Sequence, residues 1–173
     1  MIKPRRQANP DLPEINTENQ TLCYKGTHGT PSIWYNKERE IFRDSHGQTH
    51  RFQRKNSQLT LDLTKPDGTT IQEFGVATLM EYNPRTKQTQ SLPDDKPLKN
   101  LMVRCAAIQR KDHNQKTDTP KKTLIPAYMA YLKQQQAQAI IQKPEKPELT
   151  RYYTQLGYTR HGNFMKHNLK TNI

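Results

Sequence analysis

The chain has 173 residues and carries 28 Lys or Arg against 16 Asp or Glu, a formal net charge of +12. Such a surplus repels itself in a compact state and points to a negatively charged partner. DNA or RNA is the commonest, because each neutralised phosphate releases a condensed counterion. No apolar run approaches the ~18 residues of a spanning helix. The hydrophobic content of 31% falls short of the ~45–50% usual in globular domains, which argues against a membrane partner and against a large core.

The amino end, Met1-Ile2-Lys3-Pro4-Arg5-Arg6, has charge but no apolar stretch behind it, so it is not expected to be a secretory signal. A cytoplasmic protein is expected, in the host cytoplasm if the gene is a phage's. Residues 1–20 are polar and carry Pro4, Pro10 and Pro13, and read as an extended basic arm.

Residues 21–112 read as the core. Ser32-Ile33-Trp34-Tyr35 is a short β-prone run, and Glu40-Ile41-Phe42-Arg43 leads into the turn Asp44-Ser45-His46-Gly47. Leu59, Leu61 and Leu63 alternate with Thr60 and Asp62, the period of a half-buried strand. Lys65-Pro66-Asp67-Gly68 then supplies a turn, and Thr69 to Phe74 returns, which predicts a β-hairpin across Asp67-Gly68. Val76, Leu79 and Met80 follow Gly75 at helical spacing and predict a short helix ending before Pro84. Leu98, Leu101, Met102, Cys105 and Ile108 fit a helical stripe, although Leu101-Met102-Val103 reads equally as a strand. Residues 113–123 are a charged linker, residues 124–142 a second helix, and residues 143–173 a basic tail rich in Tyr. The expected fold is therefore α+β. It has a small core of short antiparallel strands around a hairpin, two or three helices, and extended basic N- and C-terminal segments.

Catalytic signatures are missing. There is no GxxxxGK[ST], GxGxxG or GxSxG, and the six histidines form neither HExxH nor a Cys/His finger, so no metal or cofactor is expected. Cys23 and Cys105 read as free buried thiols. Asp94-Asp95 has the chemistry to bind a cation, but such pairs more often cap an element. Basic and aromatic residues carry more information. Arg51, Arg54 and Lys55 form one cluster, Arg85 and Lys87 another, Arg104, Arg110 and Lys111 a third, and Arg151, Tyr152 and Arg160 mark the tail. Cations neutralise phosphates while aromatic rings stack on unpaired bases. These eleven are the expected nucleic-acid-binding residues.

Three segments, Ser32 to Gly47, Leu59 to Thr70 and Val76-Ala77-Thr78-Leu79-Met80-Glu81-Tyr82-Asn83-Pro84, run in an order that resembles the phage-type HNH homing endonucleases and their DNA-binding modules. Asp94-Asp95-Lys96 and Asn100-Leu101 resemble a later stretch of that family. The resemblance implies a His general base and a metal-side Asn. At the spacing of Asn100, Gln88 and Gln109 stand where that His and the last Asn belong. Gln cannot take a proton near neutral pH. What the resemblance implies is thus a non-cutting, DNA-binding relative from a phage or mobile element. The alternative expectation is an interaction protein, one that inhibits a host nucleic-acid enzyme or associates with a ribonucleoprotein.

Overall fold

A computed structural model describes residues 19–27, 29–109, 120–144 and 146–170. The expected arm (save its last two residues), most of the linker, and Arg110 and Lys111 lie outside those residues. From the amino end, β1 (Gln20–Tyr24), β2 (Ile33–Asn36), β3 (Ile41–Asp44), β4 (Thr49–Lys55), β5 (Gln58–Thr64) and β6 (Thr70–Asn83) form an antiparallel meander. Next, β7 (Gln88–Ser91) folds back on the end of β6, and β8 (Met102–Gln109) pairs along β6. There follow α1 (Pro120–Gln134), β9 (Ala139–Gln142), α2 (Pro147–Gln155), β10 (Thr159–His161) and β11 (Phe164–Asn168). Across the 11-stranded sheet the order is β1-β2-β3-β4-β5-β6-β8-β9-β11-β10, with β7 beside β6. All these pairs are antiparallel except β8 with β9.

Local chemistry sets the turns. In the β5–β6 hairpin Gly68 takes φ +90° and its N–H donates to Lys65 O, while Asp67 Oδ1 accepts the Thr69 N–H at 2.8 Å. Asn56 and Ser57 both adopt positive φ, 56° and 61°, which suits a two-residue connection between twisted strands. Asp94 anchors that turn, its carboxylate accepting both backbone N–H groups at 2.8 Å. A structural anchor, then, is what Asp94 is.

The sheet curls around α1. That helix packs on β1 and β2 near one end of the order and on β8 and β9 toward the other. In a flat sheet β1 and β9 would lie about 34 Å apart, three times the width of a helix. Enclosure explains why every residue from Leu124 to Ala130 is buried. Gly75 of β6 lets helix and sheet approach closely, since a Cβ there would meet Leu124 Cδ2 at 2.6 Å. Tyr128 donates its hydroxyl to Leu59 O at 2.9 Å.

The expected α+β core with two or three helices is corrected to one large mixed sheet with two helices among the described residues. Val76 to Met80 is the middle of β6, not a helix. Phe74 to Ala77 are all buried, and a strand covered on both faces loses the alternation that would identify it. The stripe through residues 98–108 is strand β8 from Met102 onward. Residues 124–142 are not one helix, because α1 ends at Gln134 and Ala139 to Gln142 form β9. The described residues from Lys143 to Lys170 are no extended tail. Tyr153, Leu156, Tyr158, Met165 and Leu169 sit in the main core, and β11 pairs with β9.

Asp44 and His50 close the β3–β4 turn as a buried pair, 0% and 4% exposed. Asp44 accepts the N–H groups of His46 and Gln48 at 2.9 Å, the Gln48 amide at 3.0 Å and the His50 Nε2–H at 2.9 Å. Burial alone would raise its pKa, but these donors outweigh burial and hold the carboxyl below its usual range. The folded state therefore prefers the ionised form. That contribution is complete above the unfolded pKa of about 3.9 and disappears as pH falls through the lower folded value. Asp44→Asn is expected to lower the melting temperature at pH 7 and to flatten its decline in acid. Melting curves from pH 7 to 3 check this; parallel acid limbs in both proteins would contradict it.

Candidate ligand crevice at the parting of two parallel strands

Pairing between β8 and β9 is brief. Met102, Val103 and Arg104 face Ala139, Ile140 and Ile141, and there the ladder ends. Two local causes part the strands. Pro144 and Pro147 follow β9 and have no N–H to continue a ladder. In β8 a bulge intervenes: Val76 and Thr78 of β6 face Gln109 and Ala106, so β8 spends an extra residue there. Ala107, at φ 54°, takes the left-handed conformation and is exposed. A bulge bends its strand, and strained residues of this kind cluster at functional sites. Among the described residues no strand pairs with Cys105–Gln109 on the β9 side.

The crossover helix packs back along β8. Just past its carboxyl end, Gln136 O accepts the Asn100 N–H at 2.9 Å, and the Gln138 N–H reaches Leu101 O at 2.8 Å, both beside the start of β8. Its amino-terminal half lies against Gly75, near the far end of β8. The first turn of α1 itself holds no acidic residue. Beyond β9 lies a depression of about 500 Å³ lined by Pro144, Lys146, Pro147, Thr150, Arg160 and Asn163. There α2 begins at Pro147, with Lys146 as its N-cap and no side-chain cap bond, although Glu148 stands in its first turn. Open strand backbone on β8 lies to one side of β9, and the depression with the cations Lys146 and Arg160 lies past the carboxyl end of β9. Backbone N–H groups at helix starts bind phosphate, and an open strand edge pairs with an extended amide-bearing chain.

Of the expected binding residues, Arg160 alone lines this depression. Arg51 and Lys55 lie on the outer face of β4, opposite the core, in register with Asp62 and Gln58 of β5. Arg54 is committed to structure, donating to Lys96 O at 2.8 Å and to Pro93 O at 2.6 Å and so pinning that loop. Arg85 and Lys87 sit exposed at the β6–β7 turn. Arg104, the last residue of β8 paired with β9, lies 5.3 Å over the Phe164 ring. Arg151 is exposed on α2, while Tyr152 packs against the core and burial raises its pKa. The structure does not gather these side chains into one patch. Nor do its thiols suit nucleophilic work: burial pushes Cys105 up to about 12 and Cys23 up to about 11.

Of the residues at this site, Ala107 and Lys146 were not singled out by the sequence. One signal existed: Gly162-Asn163 between β-prone runs is a two-residue hairpin connection, and His161 does pair with Phe164 across it. Of the segments resembling HNH nucleases, Val76 to Asn83 is strand. Gln88 heads β7, and Asn100 lies in the loop before β8. Among the described residues no three His, Cys, Asp or Glu side chains come together in a group that could hold a metal ion, and no helix is long and apolar enough to cross a membrane. What the fold defines is a curled mixed sheet, helices in its hollow, with one parallel pair that opens. Comparison with protein-family models, with curated proteins and with solved structures gives no match.

Proposed function

We propose that this chain binds an extended, phosphate-bearing small molecule in the crevice between β8 and β9. The observation that carries this reading is the parting of β8 and β9, the one parallel pair among the described residues, after three residue pairs. In sheets with parallel strands, ligands lie outside the carboxyl ends of the strands where the connections diverge. The strongly basic composition supports an anionic ligand. The open β8 edge supports one with amide groups that pair as a neighbouring strand would. Coenzyme A joins an amide-bearing arm to a diphosphate and fits both halves; pyrophosphate and ATP fit only the anionic one.

Thermal shift of the full chain with coenzyme A, ATP and pyrophosphate tests this. A ligand at a hundred times its Kd stabilises by about 2.7 kcal/mol, or roughly 5–10 °C for a chain of this size. Coenzyme A is expected to give the largest shift, pyrophosphate to compete with it, and the exposed pair Lys146→Ala with Arg160→Ala to reduce it. No shift with any of the three compounds, or a shift indifferent to that double variant, overturns the reading.

A further inference from the structure

Both helices pack against the core face of the sheet, and the opposite face of β6, β8, β9 and β11 has its own small cluster. Tyr82, Met102, Ala139 and Ile141 are buried there, with Phe164 packed on them. Tyr82 meets Phe164 and His161 edge-to-face at 5.4 and 5.8 Å, and the Arg104 guanidinium lies over Phe164. Register places Lys166 beside Ile141, and Ile141 beside Arg104, so the two cations share one row of this face. Among the described residues neither forms an ion pair, and Arg104 Nε is buried without a hydrogen-bond partner. Strands β8 to β11 hold no Asp or Glu whatever. Glu81 of β6 is in register with Val103, which faces the core, and is held by Lys96 at 2.6 Å.

We infer that this face binds single-stranded nucleic acid, Arg104 and Lys166 meeting phosphates while the Phe164–Arg104 stack and His161 receive unpaired bases. A row of two unneutralised cations beside aromatic rings, on strands without a carboxylate, is complementary to a polyanion with flat bases. A duplex keeps its bases stacked inside and offers such a platform only its backbone. The inference stands on different residues from the crevice and does not need it.

Anisotropy of a fluorescein-labelled oligo-dT with the full chain tests it. Two phosphate contacts imply a log–log salt slope of about −1.4 for a single strand, so a sixfold rise in salt weakens binding about twelvefold. Arg104→Met with Lys166→Met is expected to weaken it about tenfold or more at low salt. Arg104→Lys, which keeps charge but loses the planar stack, falls between, and exposed Arg39→Ala in the β2–β3 turn leaves affinity unchanged. The thermal shift with coenzyme A persists in the double variant, so the two readings fail separately. The inference is overturned if the chain does not bind the oligonucleotide. It is also overturned if a correctly melting double variant binds as tightly as the natural chain, if binding ignores salt, or if duplex is preferred.

Discussion

A chain ended after Gln142 is expected to lose cooperative unfolding altogether. If residues 143–173 were a solvated tail, that truncation would leave the core untouched. Instead it removes Tyr153, Leu156, Tyr158, Met165 and Leu169 from the main cluster and leaves β9 as an edge strand holding three pairs to β8. Burying an apolar side chain contributes about 1.5–3 kcal/mol, so five such losses reach the whole net stability of about 5–15 kcal/mol for an ordinary domain. The uncovered faces of β9 and α1 also invite aggregation. Circular dichroism during a thermal ramp checks this. A sigmoidal transition within a few degrees of the full chain would show that the α2–β11 segment docks without supporting the core.

The reason that segment misleads as sequence is instructive. Its strands are short, three and five residues, and Arg160, His161, Lys166 and His167 make them read as solvated. The core contacts come from single residues, Tyr158, Met165 and Leu169, spaced too irregularly to show a period. β5 was legible for the opposite reason: one face is covered and the other open, so Leu59, Leu61 and Leu63 alternate cleanly, and Asp67-Gly68 marks the hairpin. β6 was not, since Gly75, Val76 and Ala77 are covered from both sides. Arg54 illustrates a further limit. Nothing local distinguishes it from Arg51 three residues before, yet pairing with Leu59 turns it to the core side, where it grips the Pro93–Lys96 loop. The crevice was beyond sequence reading because it is a relation between two distant segments. Pro144 hinted that β9 stops, but which strand it leaves is decided by pairing with Met102, Val103 and Arg104.

Tyr128→Ala is expected to cost about 3–5 kcal/mol, and Tyr128→Phe only about 0.5–1.5 kcal/mol. Tyr128 is 0% exposed and its ring meets Phe52 edge-to-face at 5.4 Å, while its hydroxyl bonds Leu59 O. Removing the ring leaves a cavity between helix and sheet where Gly75 already brings α1 as close as the backbone allows. Removing only the hydroxyl leaves packing intact and forfeits one neutral hydrogen bond. Urea unfolding of both variants separates the contributions. Equal losses would mean that the hydrogen bond, not enclosure by the curled sheet, holds α1 in place. On the proposed reading the consequence extends to ligand binding, because α1 packs along β8 with its amino-terminal half near the Gln109 end. A helix loosened at Tyr128 no longer supports the open end of β8. Tyr128→Ala should therefore weaken coenzyme A binding more than it weakens oligonucleotide binding on the outer face, whose residues stand on the strands themselves.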